Sequence, residues 1–244
     1  MGSPYKRIAL KVSGDVLFDF DGAAVEKATD DVLTSVLTQI KNCQQQGIEV
    51  VVIFGGGNIC RGKSMVDSLG IKRTTADNIG MLATVINSLI IREKLTKMGA
   101  DCVLLSAFEI PHMMQPFETH AAIRHLKEGR VVICCGGTGN PFVTTDTATS
   151  LRGAQTEVDA IIKLTDVNGV YDKDPNKHAD AQHQKHVDYD YCIANKIEVM
   201  DVAAFNHCRM TSIPIHVASY KEPDVIIRVA NGGEIGTRIA KTGD

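Results

Sequence analysis

Three stretches of this chain combine glycine, hydroxyl and cationic side chains in a way that suits phosphate chemistry. Lys11 ends the apolar run Arg7–Val12, and Ser13 and Gly14 follow, so an ammonium group and open backbone amides come together. Gly55, Gly56 and Gly57 follow the run Glu49–Phe54, with Arg61 shortly after. Three consecutive glycines exceed what a turn needs. They let backbone approach an anion with no Cβ between, and a guanidinium matches phosphate oxygens. The third stretch, Gly136–Ala148, "GGTGNPFVTTDTA", follows Arg130–Cys135 and carries four threonines and Asp146. It is either a tight turn or a loop that wraps a polar ligand with amides and hydroxyls.

Gly57–Ser64, "GNICRGKS", also satisfies the P-loop pattern, in which Lys63 would reach the β and γ phosphates and Ser64 would hold magnesium. Two features weigh against it. A helix opening at Lys63 meets Gly70 after two turns, a weak N-terminus for an anion. The best candidate for a magnesium-binding strand end, "AIIKLTD" ending at Asp166, is interrupted by Lys163.

Alternating strands and helices must position these loops. Strands are expected at Arg7–Val12, Glu49–Phe54, Asp101–Leu105, Arg130–Cys135, Ala160–Leu164, Pro214–Ala218 and near Ile235–Ile239. Val32, Leu33, Val36, Leu37, Ile40 and Cys43 fall at helical spacing, and Gly47 stops that helix. A long helix is expected from about Asp77 to Met98, turning Met81, Leu82, Val85, Ile86, Leu89 and Ile90 inward, with Asp77 as a candidate N-cap. Shorter helices are expected through Ala121–Lys127, after the threonine loop, near Tyr189–Ala194 and near Asp201–Cys208. Residues 166–184 read as a polar excursion or flap; His178, His183 and the nearby His186 form no metal-ligand pattern and read as solvated. The fold class is α/β, a three-layer αβα sandwich with a central, largely parallel sheet. Such sheets bind ligands outside the carboxyl ends of their strands, where all three glycine-rich loops lie.

The composition excludes several classes. The 244 residues are 44% hydrophobic and 23% charged, with a net charge of −3, so nothing draws the whole chain to nucleic acid or an anionic membrane. Seven scattered cysteines form no C-x-x-C; they read as reduced thiols, Cys134 and Cys135 pointing to opposite faces of one strand. No apolar run approaches the ~20 residues of a membrane span. The N-terminus has no signal-peptide core, and Lys6 stands where a myristoylation pattern needs Ser or Thr. A cytoplasmic protein is expected.

Taken together, "KVSG" (11–14), "GGGNICRG" (55–62), "DNIGMLATV" (77–85), "GTGNPFVTTD" (137–146), "KLTDVNGVYDKDP" (163–175) and "VMDVAAF" (199–205) resemble the bacterial-type UMP kinases of the amino-acid-kinase superfamily, in this order and over essentially the full length. The resemblance implies one domain spanning 1–244, its first half to about 150 mainly on the UMP side and its second mainly on the ATP side. It implies transfer of the γ-phosphoryl group of MgATP to UMP. By resemblance, Lys11, Val12, Ser13, Gly14, Gly57, Arg61, Thr165, Tyr171 and Asp174 meet ATP. Gly56, Asp77 (at the ribose) and Thr138, Gly139, Asn140, Pro141, Phe142, Val143, Thr144 and Thr145 meet UMP. Phe142 would form an apolar wall, and Val143 stands where some relatives carry an aromatic. Lys11, Arg61, Asp146 and Asp201 are the expected catalytic set, the two aspartates orienting Lys11 or the waters of magnesium; each could instead be a surface or capping residue. Mg2+ is expected through the ATP phosphates, with no protein ligand assigned. The family further implies a hexamer, GTP and UTP as effectors, and Arg92 and Arg130 near the GTP position. Other readings are a superfamily kinase acting on a carboxylate or carbamate, or a storage or regulatory protein that keeps the fold without catalysis.

Overall fold

The computed structural model describes residues 5–17, 20–21, 24–25, 30–173, 175, 177–178 and 180–241. In chain order the elements are β1 (Arg7–Val12), a 3-10 turn (Gly14–Val16), β2 (Phe20–Asp21), β3 (Ala24–Val25), α1 (Asp30–Gln45), β4 (Glu49–Phe54), α2 (Gly62–Leu69), α3 (Arg73–Lys97), β5 (Cys102–Ser106) and β6 (Gln115–Pro116). Then come α4 (Thr119–Lys127), β7 (Val131–Cys135), α5 (Thr145–Gln155), β8 (Ala160–Thr165), β9 (Val170–Tyr171), β10 (His183–Gln184) and β11 (His186–Val187). The chain closes with α6 (Tyr189–Ala194), α7 (Val202–Thr211), β12 (Ile215–Ser219), α8 (Val225–Ala230) and β13 (Thr237–Ile239).

A nine-stranded sheet has the order β11-β13-β12-β8-β1-β4-β7-β5-β6, and β12 meets β13 antiparallel while its other pairs are parallel. Helices cover both faces, giving the three-layer α/β sandwich. β1 shows why both faces fill. Ile8, Leu10 and Val12 pack with Leu33 and Leu37 of α1, Ile91 of α3 and Ile226 of α8. Ala9 points the other way, into the core that holds Leu126, Phe205 and Val217. Lys11 shares the face of Ala9. There α5 packs close: a Cβ on Gly153 would lie 3.6 Å from the Ala9 methyl.

Several expectations change. The long helix begins at Arg73, so Asp77 sits in its second turn and is not the N-cap. Leu82 and Ile86, expected inward, are 49% and 41% exposed, whereas Thr84, Asn87 and Ser88 are buried. The reason is what α3 packs against: a glycine loop with bare backbone, which takes small and amide side chains. Asn87 Nδ2 donates to the Gly55 carbonyl at 2.7 Å and to Asn58 Oδ1 at 2.7 Å. The polar excursion contains a hairpin, β9–β10, with His183 in register with Tyr171. Helix α8 and strand β6 were too short to show in the apolar pattern. Cysteine behaves as expected, all seven being free thiols, and burial pushes Cys134 up to about 12.

The glycine loop gives a direct stability test. A Cβ on Gly56 would sit 2.9 Å from both Ala83 Cβ and the Gly80 carbonyl, while one on Gly80 meets open space. Gly56→Ala should lower the melting temperature. Gly80→Ala should raise it, because glycine inside a helix costs about 0.5–1 kcal/mol relative to alanine. Equal shifts by calorimetry would contradict this packing.

Candidate active site

The register of the central strands makes the site. Lys11 of β1 pairs directly with Lys163 of β8, so two lysines stand side by side on one face of the sheet. Adjacent strands lie about 4.8 Å apart, a spacing at which two ammonium groups repel unless an anion joins them. The anion comes from α5. Thr144 caps that helix, its hydroxyl accepting from the Asp146 N–H at 3.0 Å, and the first turn carries Asp146 down to the lysines. Lys163 Nζ donates to Asp146 Oδ2 at 2.8 Å and to the Val199 carbonyl. Lys11 Nζ lies 3.3 Å from Oδ1 as an ion pair, without forming a hydrogen bond to that oxygen.

Burial alone would raise the Asp146 pKa, but the ammonium groups of Lys11 and Lys163 outweigh it and hold the carboxyl below its usual range. Burial pushes the Lys163 ammonium down, Asp146 pulls it back up, and the Lys11 charge pushes it down again. Two cations share Asp146, and the charge of Asp201 also favours the Lys163 ammonium. Lys163 gives two hydrogen bonds to protein oxygens, whereas Lys11 makes the longer contact with Asp146.

Backbone forms the next layer. A Cβ on Gly14 would lie 2.6 Å from the Gly57 amide nitrogen, so the loops after β1 and β4 touch main chain to main chain. Gly55 N–H donates to the Val12 carbonyl at 2.9 Å. Ser13 has extended backbone angles and leads into the 3-10 turn. Arg61 precedes α2 and is exposed. That helix ends after eight residues at Gly70 in the left-handed region, the short helix that counted against a P-loop.

A cavity of about 250 Å³ opens beside these loops. It gathers Gly56, Gly57, Arg61, Asp77, Thr138, Asn140, Val143, Thr144 and Thr145, all expected from sequence. Asp77 accepts from Arg73 Nε at 2.7 Å and from the Phe142 N–H at 2.8 Å, tying α3 to the threonine loop. Gly136, Gly137 and Gly139 take positive φ, and Gly136 N–H donates to Thr84 Oγ1 at 2.9 Å. Phe142 also has positive φ, is 66% exposed and does not line this cavity. Pro141 and Gly139 shape the same loop.

The remaining expectations land as follows. Asp201 caps α7, accepting from the Ala204 N–H at 2.7 Å and from the hydroxyls of Thr144 and Thr147. It therefore anchors the start of α5 and makes no hydrogen bond to Lys11. Val12 is buried in the core, and Thr165 ends β8 beside Ser219. Tyr171 packs on His183 with ring centroids 5.2 Å apart, so that histidine is not merely solvated. Asp174 lies outside the described residues. Arg130 is held by Asp101 at 3.2 Å and Glu128 at 3.4 Å; Arg92 lines a separate cavity. Among the described residues no group of three His, Cys, Asp or Glu could hold a metal ion, and no helix is long and apolar enough to cross a membrane.

Sequence reasoning missed Lys163, Met81 and Thr84. Met81 and Thr84 line the cavity four and seven residues after Asp77, a helical spacing that marks one face. For Lys163 the signal was a cation inside an otherwise apolar strand.

The amino acid kinase family model matches residues 6–219. Uridylate kinase of Xanthomonas campestris pv. campestris is 41% identical over 235 residues, covering 96% of each chain. The crystal structure of UMP kinase from Bacillus anthracis superposes with a TM-score of 0.92 at 35% identity, covering 98% of each chain. That of UMP kinase from Ureaplasma parvum gives 0.88 at 29% identity, covering 99% of this chain and 100% of the other.

Asp146→Asn tests the shared carboxylate. Breaking a buried pair costs about 3–5 kcal/mol, and two ammonium groups would then face each other. Because folding lowers the Asp146 pKa, its contribution is complete above the ordinary value of 3.8 and disappears as pH falls through the folded value. Urea denaturation should show the wild type well ahead of Asp146→Asn at neutral pH and the gap closing in acid. A gap independent of pH would contradict the assignment.

Proposed function

The chain belongs to the amino acid kinase family, and on that premise we propose that it is a nucleoside monophosphate kinase that passes the γ-phosphoryl group of ATP to UMP, giving UDP and ADP. The observation that carries this reading is the Lys11–Asp146–Lys163 cluster at the strand ends, beside a cavity lined by Gly56, Asp77, Thr138, Asn140, Val143, Thr144 and Thr145 of the expected UMP residues.

The chemistry needs no protein nucleophile and no general base. The second pKa of a phosphate monoester is about 6, so the acceptor is already dianionic near neutrality. The difficulty is bringing two polyanions into line, which calls for fixed positive charge and backbone donors. Lys11 meets the transferring phosphoryl group. Lys163 is a positioning residue: it holds Asp146, and Asp146 holds Lys11. Gly14 and Gly57 bring amides to the donor phosphates, with Arg61 at the junction of donor and acceptor. On the acceptor side, Asp77 keeps lone pairs for two ribose hydroxyls, because Arg73 Nε and the Phe142 N–H take one site on each oxygen. Thr138, Asn140, Thr144 and Thr145 offer the base and phosphate neutral polar edges. Thr165, Tyr171 and Asp174 belong to the ATP side.

Magnesium fits as a passenger of the nucleotide. Asp146 is engaged by two lysines and Asp201 by hydroxyls and a helix amide, so neither carboxylate is free to lead a metal shell. When bound, the ion supplies charge neutralisation to the ATP phosphates. We also place the protein in the cytoplasm as a homo-oligomer, hexameric by resemblance, with GTP and UTP as effectors. Leu82 and Ile86, one turn apart on α3 and both exposed, support such a contact.

A coupled ADP-release assay with ATP, magnesium and each nucleoside monophosphate tests the reading. Turnover should depend on UMP, and Val143 makes CMP and dUMP the informative competitors. Lys11→Ala should cut kcat by about 10² or more without recovery at saturating UMP, and Lys63→Ala should keep most activity. Loss in Lys63→Ala alone would restore the P-loop. Transfer to a carboxylate or carbamate, or nucleotide binding with no transfer, would favour the other members of the fold.

A further inference from the structure

Helix α3 turns two buried polar side chains, Thr84 and Asn87, toward the active end, and each meets a different glycine loop. They stand three residues apart and so share one face of the helix, with Asp77 two turns earlier on it.

Asn87 holds the loop after β4. Its Nδ2 donates to the Gly55 carbonyl and to Asn58 Oδ1, both at 2.7 Å, and Asn58 Nδ2 donates back to Asn87 Oδ1 at 3.2 Å. Both protons of the Asn87 amide are therefore used, and the residues that bracket Gly56 and Gly57 are fixed to the helix. Asn58 also reaches the loop after β1: a Cβ on Gly14 would lie 2.9 Å from its Oδ1. Gly56 rests on the helix itself, since a Cβ there would lie 3.2 Å from the Thr84 amide nitrogen.

Thr84 holds the threonine loop. Its hydroxyl donates to the Met81 carbonyl at 2.7 Å, which places the proton inside the helix and leaves the oxygen as an acceptor. That oxygen accepts from the Gly136 N–H at 2.9 Å, where the chain leaves β7. Met81 packs against the next residue: a Cβ on Gly137 would lie 3.4 Å from its Cγ. Farther along the loop, Asp77 accepts from the Phe142 N–H at 2.8 Å.

One helix thus sets the separation of two loops that come from different strands. A helix rises about 1.5 Å per residue, so the anchor points at Thr84 and Asn87 are about 4.5 Å apart along its axis. In-line transfer needs reacting atoms about 3–3.5 Å apart, and a misplacement of about 1 Å can cost about a hundredfold in rate. We propose, on the premise that the site phosphorylates UMP, that Thr84 and Asn87 are positioning residues for the transfer. Thr84 sets the acceptor loop and Asn87 the phosphate-facing glycine loop, each acting through backbone and not through contact with a substrate.

Steady-state kinetics with each nucleotide varied in turn tests this. Thr84→Val keeps the shape of the side chain and removes the acceptor of the Gly136 N–H. It should raise KM for UMP about tenfold and leave KM for ATP unchanged. Thr84→Ser keeps the hydroxyl and should keep the wild-type KM for UMP. Asn87→Leu should lower kcat about tenfold or more and raise KM for ATP more than KM for UMP. Asn58→Ala cuts the same amide pair from the loop side and should move the constants the same way, which serves if Asn87→Leu does not fold. Variants that lose thermal stability but keep wild-type kcat and KM, or equal rises of both KM values in Thr84→Val, would overturn the proposal. Hydrogen exchange separates it from the kinase reading: the Gly136 amide should exchange faster in Thr84→Val than in Thr84→Ser. Equal exchange would overturn the anchoring by Thr84, whereas wild-type protein without UMP turnover would overturn the kinase reading on which it rests.

Discussion

Two ammonium groups fixed on neighbouring strands must share a carboxylate, and the active end of the molecule is arranged around that requirement. Lys11 and Lys163 cannot avoid each other, because the parallel register of β1 and β8 places them side by side. Asp146 resolves the conflict, but only if α5 begins at the right height above the sheet. Ala9 and Gly153 let the helix come close, and Asp201 holds its first turn through Thr144 and Thr147. The result is asymmetric. Lys163 gives hydrogen bonds to Asp146 and Val199, whereas Lys11 lies farther from the carboxylate, at 3.3 Å.

The glycine loops obey a related constraint. The loops after β1 and β4 are stripped to backbone and lie against one another, because a Cβ on Gly14 would meet the Gly57 amide nitrogen at 2.6 Å. Bare backbone must also be held in place. Asn87 does this from α3 by binding the Gly55 carbonyl, which explains why a long helix buries an amide where its neighbours Leu82 and Ile86 face outward. The bare glycine loop thus dictates which residues a supporting helix can bury.

Much of this was legible in the sequence. The strands, the glycine loops at their ends and the threonine loop stood out because β-branched runs and glycine clusters are local signals. The cavity residues from Gly56 to Thr145 came from motifs and were found gathered in one place. What stayed hidden depends on partners distant in sequence. Lys163 read as a flaw in a strand, because only its register with Lys11 gives it a purpose. Asp77 looked like a helix cap, but the backbone turns into the helix at Lys72, five residues earlier.

The account makes Lys163 act through Asp146, which a double-mutant cycle on kcat for UMP phosphorylation measures directly. Lys163→Met and Asp146→Asn should each slow turnover, and the double variant should be no slower than the worse single, because both break the same support for Lys11. If the two losses instead multiply, Lys163 and Asp146 work independently, and the shared carboxylate is not what organises the site.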